Sequence, residues 1–239
     1  MKKVILLILV LLILTVQNTS AKEIFYQNDN GVILTKEEYD FFTEMYWNGY
    51  QKNLTIEDYN YIKELDLFDK VVEKKTIELF DFPIERSSSV TSNLMILTIS
   101  KSCSNTCTLS LVTRWIGTPN VKSYDVFGAR ADGVNITNIR NARVEGDNYY
   151  KIYSNPQKNN NGFGFSILVP NESNVIATIT FTTTKGGTVY GSYQHAMRNT
   201  TENISKQYSI NENGFGRVFD FTGTARNIYD NAPGVDMVV

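Results

Sequence analysis

The only two cysteines of this 239-residue chain, Cys103 and Cys107, are its closest pair of reactive side chains. Two thiols four residues apart can bond to each other or supply half of a metal site. A structural zinc needs four ligands, and the single histidine, His195, is far away in sequence. A structural disulfide is the expectation, and it constrains the backbone. In an extended strand the pair would stand about 13 Å apart at ~3.3 Å per residue, whereas the bond needs Cα atoms within about 7 Å. The chain must reverse between them or be helical, and Ser104-Asn105-Thr106 is turn chemistry rather than helix chemistry.

Other chemistry is sparse. One histidine excludes a multi-histidine zinc site and leaves any Ser-His-Asp triad dependent on His195. His195 falls at the end of an expected strand and reads as a surface or edge residue. Paired carboxylates can hydrolyse glycosidic bonds, and Asp125, Asp132, Glu145, Asp147 and Asp220 are available. Most of them sit in turn contexts where Asp is common anyway. Asp132-Gly133-Val134-Asn135 lacks the ligand count of a calcium loop. The repeated Asn-Gly-Phe-Gly, at 161–164 and 213–216, reads as hairpin turn chemistry with close backbone approach at the second Gly. It is not a phosphate loop, because the Lys-Ser/Thr and the following helix are missing. No catalytic residue, metal ligand or cofactor site is assigned. Tyr46, Trp47 and Tyr50 form one aromatic cluster that could contact a sugar ring or a protein; the plainer reading is that they pack inward.

The elements carrying these residues fall into two kinds. Leu34-Thr35-Lys36-Glu37-Glu38-Tyr39 resembles Leu54-Thr55-Ile56-Glu57-Asp58-Tyr59, twenty residues later. Each copy has helix-start chemistry: a Thr cap, an acidic residue three positions on, and an apolar pair that staples the entry. Acidic side chains in the first turn also suit the helix dipole. The first helix should stop near Asn48-Gly49, since Gly fits the left-handed position, and the second near Phe68 or Lys70. Residues 22–80 thus read as a helical hairpin segment, with a loosely alternating stretch at 71–82 that could be a strand. It is too small to stand alone and should pack on something. Pro83 and the polar residues that follow make 81–92 a linker.

From 93 to 225 short alternating stretches recur between turn signals. Strands are expected near 94–101, 107–116, 122–131, 139–145, 148–154, 163–169, 175–184, 187–194, 205–210 and 215–222. Many short strands without intervening helical pattern indicate a mainly β fold: an antiparallel β-sandwich, Greek-key or jelly-roll-like. Residues 226–239 read as a C-terminal tail. Within 175–194, Ala177, Ile179 and Phe181 alternate with Thr178, Thr180 and Thr182 before Gly186-Gly187. This suits a solvent-facing hairpin or the membrane hairpin of a β-pore.

Residues 1–21 set the compartment. Lys2 and Lys3 precede an apolar run from Val4 to Leu14, and Thr19 and Ala21 supply small residues at a cleavage site. This is the pattern of a secretory signal peptide, too short to span a bilayer, which takes ~20 apolar residues. Cleavage removes two of the 23 basic side chains and none of the 25 acidic ones, so the mature chain carries net −4. That balance argues against nucleic acid, and no stable membrane anchor is expected after cleavage. Twenty-five asparagines, with many Ile, Lys and Tyr, suit an AT-rich bacterial genome. The expectation is a secreted, non-enzymatic binding or surface-interaction protein for an extracellular protein or glycan. The alternatives are a secreted carboxylate-dependent hydrolase of glycan or cell-wall polymer, and a β-pore protein.

Overall fold

The computed structural model of the chain describes residues 24–81, 93–212, 217–230 and 232–239. The expected leader, residues 82–92 of the linker and the second Asn-Gly-Phe-Gly lie outside the described residues. A small hairpin, β1 (Tyr26–Gln27) and β2 (Ile33–Leu34), leads into helix α1 (Lys36–Met45), a 3-10 turn at Tyr50–Asn53, and helix α2 (Ile56–Glu64). Both helices start on the expected caps. The Thr35 hydroxyl accepts from the Glu38 amide, and the Glu38 carboxylate accepts from the Thr35 amide at 2.8 Å. Thr55 accepts from the Asp58 amide at 3.2 Å. Gly49 takes φ 113° between the helices, as its missing Cβ permits. Helix α2 ends earlier than expected because Asp66 is left-handed, with φ 52°, which turns Leu67 back into the apolar cluster.

Strands follow: β3 (Val72–Asp81), β4 (Asn93–Cys103), β5 (Cys107–Ile116), β6 (Tyr124–Asp132), β7 (Ile136–Thr137), β8 (Ala142–Glu145) and β9 (Tyr150–Tyr153). Next come β10 (Gln157–Lys158), β11 (Gly162–Leu168), β12 (Ile176–Thr183), β13 (Thr188–Gln194), the short helix α3 (Glu202–Ser205), β14 (Tyr208–Ile210), β15 (Phe219–Phe221) and β16 (Val235–Val238). All ten expected strands are present. One antiparallel sheet has the order β3-β4-β5-β12-β8-β9, with β7 also on β12; the other has the order β10-β11-β6-β13-β16. The chain crosses between the sheets after β5, β6, β9, β11 and β12.

The sheets face each other across one apolar core. Leu97, Ile99, Leu109, Leu111, Ile179 and Phe181 come from the first sheet, and Phe127, Phe163, Phe165, Val189 and Tyr193 from the second. Their alternation along each strand is the sandwich pattern. Burying one such side chain contributes about 1.5–3 kcal/mol. Both outer faces are covered too. The helical segment lies over the first sheet, where Thr180 donates to the Tyr46 hydroxyl at 3.2 Å. The C-terminal segment lies over the second sheet, with Tyr208, Phe219, Ile228 and Tyr229 packed on Val126.

The stretch that could be a strand does carry one, β3, an edge of the first sheet paired along its length with β4. Three expectations are corrected. The C-terminal tail carries β16, which pairs with β13. The stretch 175–194 is not a hairpin: β12 pairs with β5, β7 and β8 while β13 pairs with β6 and β16. Gly186-Gly187 carries the chain from one sheet to the other, and the Thr face of β12 is buried under the helices. Finally, Gly162 opens β11 without a positive φ; its small size matters instead, since a Cβ there would stand 2.5 Å from the Ala129 carbonyl.

Cys103 and Cys107 face each other across the β4–β5 hairpin and are disulfide-bonded, with Cα atoms 4.1 Å apart. Replacing both with Ser should lower unfolding stability by about 2 kcal/mol on the chain-entropy estimate for so short a loop. The readout is a lower urea midpoint with an unchanged slope, and an unchanged midpoint would show that the bond contributes nothing.

Candidate functional site

The aromatic cluster that could have made a contact site packs inward, as the plainer reading had it. Tyr46 and Tyr50 are 3% and 4% exposed, with rings stacked 4.1 Å apart. Trp47 is half-buried and meets Tyr50 edge-on at 6.4 Å. These three residues join the helices to the sheet and offer no open platform. The physical reason is the neighbouring Thr-rich sheet face, on which the Tyr46 hydroxyl finds a hydrogen bond.

His195 is likewise buried, at 3% exposure, and not a surface residue. Its Nδ1 lies 2.7 Å from Asp125 Oδ2. The same carboxylate accepts from the Tyr193 hydroxyl and, at 2.9 Å, from the Ala196 amide. The Trp115 ring meets the imidazole edge-on at 4.8 Å, and the His195 amide donates to Asp230 at 3.1 Å. This has the Asp–His half of a triad, but the hydroxyl beside it is Tyr193, which donates to the same Asp. Asp125 is fully buried and His195 nearly so, at 3% exposure, so the pair is closed to solvent. The cluster ties β6 to the end of β13 and to the C-terminal segment.

A more open arrangement lies between α2 and the β8–β9 edge. Arg143 on β8 projects from the outer face of the first sheet, opposite Ile152, and Glu145 is opposite Tyr150. Asp58, three residues past the Thr55 cap, reaches down to both arginines. Its Oδ2 accepts from Arg143 Nη2 and from the Thr55 hydroxyl, and its Oδ1 accepts from Arg140 Nη2 at 3.2 Å. Arg140 also donates to Glu57 at 3.0 Å and lies 4.7 Å above the Tyr61 ring. Glu145 accepts from Asn53 at 2.8 Å, and its other oxygen lies 3.9 Å from Arg143 Nε.

Burial shapes the charges here. It opposes the Arg143 charge, but Tyr50, Asp58, Tyr150 and Glu145 more than offset it and hold the guanidinium above the usual arginine range. Burial pushes the Glu145 carboxyl up, against the pull of the Asn53 hydrogen bond and the Arg143 charge. The Arg143 side chain is only 9% exposed, and its Nη1 makes no hydrogen bond. The guanidinium carbon lies 5.3 Å from the Tyr50 ring centroid and 5.8 Å from that of Tyr150. Beside it opens a cleft of about 240 Å³, walled by Thr55, Glu57, Asp58, Arg140, Asn141, Arg143, Ile139 and Ile152.

Of the carboxylates singled out from sequence, only Glu145 belongs to this cleft's surroundings. Asp132 pairs with Arg130. Asp147 is exposed and accepts from Ser173 and Asn174, which holds its carboxyl below the usual range. Asp220 is exposed on β15. Sequence reasoning gave Asp58 a capping role alone and no role to Arg140 or Arg143. The acidic first turn of α2 was the one signal that pointed here. No group of three or more His, Cys, Asp or Glu that could hold a metal occurs among the described residues.

Burial raises the Asp230 carboxyl to about 7, against the opposing pull of the His195 charge. A carboxyl raised above its unfolded value of about 3.9 favours the native state when protonated. Its contribution is therefore full below about pH 4 and lost as pH rises through 7. Asp230→Asn keeps an acceptor for the His195 amide. It should raise the melting temperature at pH 8, change it little at pH 4.5, and flatten the pH profile between; a variant that is less stable at pH 8 would refute this account. No family model matches this chain, and no curated protein or solved structure matches it significantly.

Proposed function

We propose that the chain is an exported, non-enzymatic recognition protein that takes its ligand in the cleft between α2 and the β8–β9 edge. The observation that carries this reading is the state of the charges around the cleft. Glu57 and Asp58 are paired with Arg140 and Arg143, and these four side chains wall the cleft together with Ile139 and Ile152. Both carboxylates are occupied by ion pairs with arginines, so the arrangement suits holding a ligand better than cleaving one. The exposed Tyr150 and Ile152 beside it, at 48% and 50%, provide apolar contact area of the kind recognition sites use.

Export rests on the leader pattern of residues 1–21 and on the Cys103–Cys107 bond, which persists in oxidising compartments. No helix among the described residues is long and apolar enough to cross a membrane. A bacterial source rests on composition alone. A carboxylate-dependent hydrolase would have to use Glu145, whose protonation burial favours, but that side chain is closed in by Asn53 and Arg143. A β-pore would need the Thr-rich β12 to leave the middle of its sheet.

The mature protein should be retained by isolated cell wall or a polysaccharide matrix and release no soluble sugar on prolonged incubation. Tyr150→Ala should weaken retention roughly tenfold, the loss of one well-placed aromatic contact. Reducing sugar released by the wild type and abolished in Glu145→Gln would replace recognition with hydrolysis. Dye release from liposomes would replace it with pore formation.

A further inference from the structure

We infer that the mature chain forms a two-fold dimer by pairing strand β3 with β3 of a second copy, antiparallel and centred on Thr76. The contact is independent of the cleft and of any ligand taken there.

Strand β3 runs for ten residues, Val72–Asp81, at the outer edge of the first sheet. It pairs with β4 on one side in unbroken register. On its other side no backbone hydrogen bond reaches it among the described residues. An edge of this length is a template for another strand, and natural edges are blunted by shortness, bulges, proline or a row of lysines. Strand β3 contains no proline, and its register with β4 skips no residue. Its exposed charges are two acidic and two basic, Glu73, Lys74, Lys75 and Glu78. A lysine row would repel a copy of itself, whereas this mixed row can match one.

The backbone fixes which residues can bond across that edge. The Cα atoms of Cys103 and Cys107 are 4.1 Å apart, the spacing of a non-hydrogen-bonded antiparallel pair. Further along β5 the Trp115 amide donates to Val175, beside β12, which gives the same phase: odd-numbered residues of β5 bond towards β12. Odd-numbered residues of β4 therefore bond towards β3. Their partners include Glu73, Lys75, Ile77 and Leu79, so the amides and carbonyls of Lys74, Thr76 and Glu78 point to the open edge. Two copies must then match even-numbered residues with even-numbered residues. Centring on Lys74 or Glu78 opposes like charges. Only centring on Thr76 sets Lys74 opposite the second copy's Glu78, and symmetry makes that pair twice.

The side chains agree with this register. Successive residues of a strand face opposite ways. On the inner face Lys75 pairs with Asp236 at 2.7 Å and Glu73 with Lys101 at 3.2 Å, so both charges are used within the chain. On the outer face Lys74 senses the charge of Glu44 on α1, but neither Lys74 nor Glu78 forms an ion pair among the described residues. The two charges left over are the two that the dimer pairs. Strand β16, the edge of the second sheet, lies on the same flank through the Lys75–Asp236 contact. Val71 and Val238, 83% and 66% exposed, add apolar area there. A two-fold contact consumes the edge of both copies and closes. The candidate clefts, at the β8–β9 end of each first sheet, stay open.

The test is sedimentation equilibrium of the mature protein, joined to amide hydrogen exchange. The expected mass is that of two chains, with the Lys74, Thr76 and Glu78 amides protected at high protein concentration and released on dilution. Lys74→Glu and Glu78→Lys, both at exposed positions, should each weaken the dimer at least about tenfold, since each turns two attractive cross-strand pairs into repulsive ones. The double exchange, Lys74→Glu with Glu78→Lys, should restore it. Thr76→Pro removes the outward amide at the two-fold centre and should leave a monomer whose thermal unfolding stays cooperative. A single-chain mass at every concentration overturns the inference. So does a dimer that neither charge reversal weakens, or one that the double exchange fails to recover. Species larger than two chains overturn the closed two-fold contact. A monomer that gains protection at those three amides only with an uncharged extended octapeptide gives the edge to a peptide instead of a second copy.

Discussion

Strand β12 is buried along all eight of its residues, and the layering of the molecule follows from that. Ile179 and Phe181 point into the sandwich core, while Thr178, Thr180 and Thr182 point the other way. A strand with one greasy face and one hydroxyl face ordinarily borders solvent. Here the hydroxyl face continues across Ser110 and Thr108 on β5 and Ser100 and Ser102 on β4, all fully buried. Something must cover that carpet, and the helical segment does so. Small hydroxyl side chains leave the face flat enough for an aromatic layer to approach closely, and Tyr46 hydrogen-bonds Thr180 across it.

Such an interface is weak per unit area, because several of those hydroxyls, Ser100, Ser102, Thr108 and Ser110 among them, make no hydrogen bond. The helical segment does not depend on it alone. Its own cluster of Phe41, Phe42, Met45, Leu54, Ile62 and Leu67 is closed to solvent. Its attachment is reinforced at the rim, where Asp58 bridges Arg140 and Arg143 and Asn53 reaches Glu145. The candidate site is a by-product of that reinforcement. Asp58, Arg140 and Arg143, which fasten the helices to the sheet, also wall the cleft.

The opposite face is closed by different means. Gly164 on β11 has no side chain, and a Cβ there would stand 2.6 Å from Tyr208 and Phe219, so the β14–β15 hairpin can rest on the sheet itself. The Asp125–His195 cluster fastens the other end of the same covering segment. Asp125 gathers donors from Tyr193, His195 and the Ala196 amide, and that number of partners is what makes a fully buried carboxylate tolerable. An arrangement that looks like part of an enzyme is thus a joint between strand ends.

The sequence by itself determined what depends on neighbours a few residues apart. Thr35 and Glu38 wrote the start of α1, Gly49 its turn, and period-two alternation marked the longer strands of the sandwich but not β7, β10 or β16. Four-residue spacing demanded a chain reversal between Cys103 and Cys107. Only the tertiary structure decided what depends on which strand lies beside which. Alternation reports that a strand has two faces but not what covers each, so the Thr face of β12 read as solvent-facing and β12–β13 as a hairpin. His195 read as an edge residue because the carboxylate that stabilises its burial is seventy positions away. Arg143 and Asp58, eighty-five positions apart, carry no local pattern at all. Their pairing exists because the helical layer settles on the β8 edge of the sheet, and long-range contact of that kind leaves no periodicity in the chain.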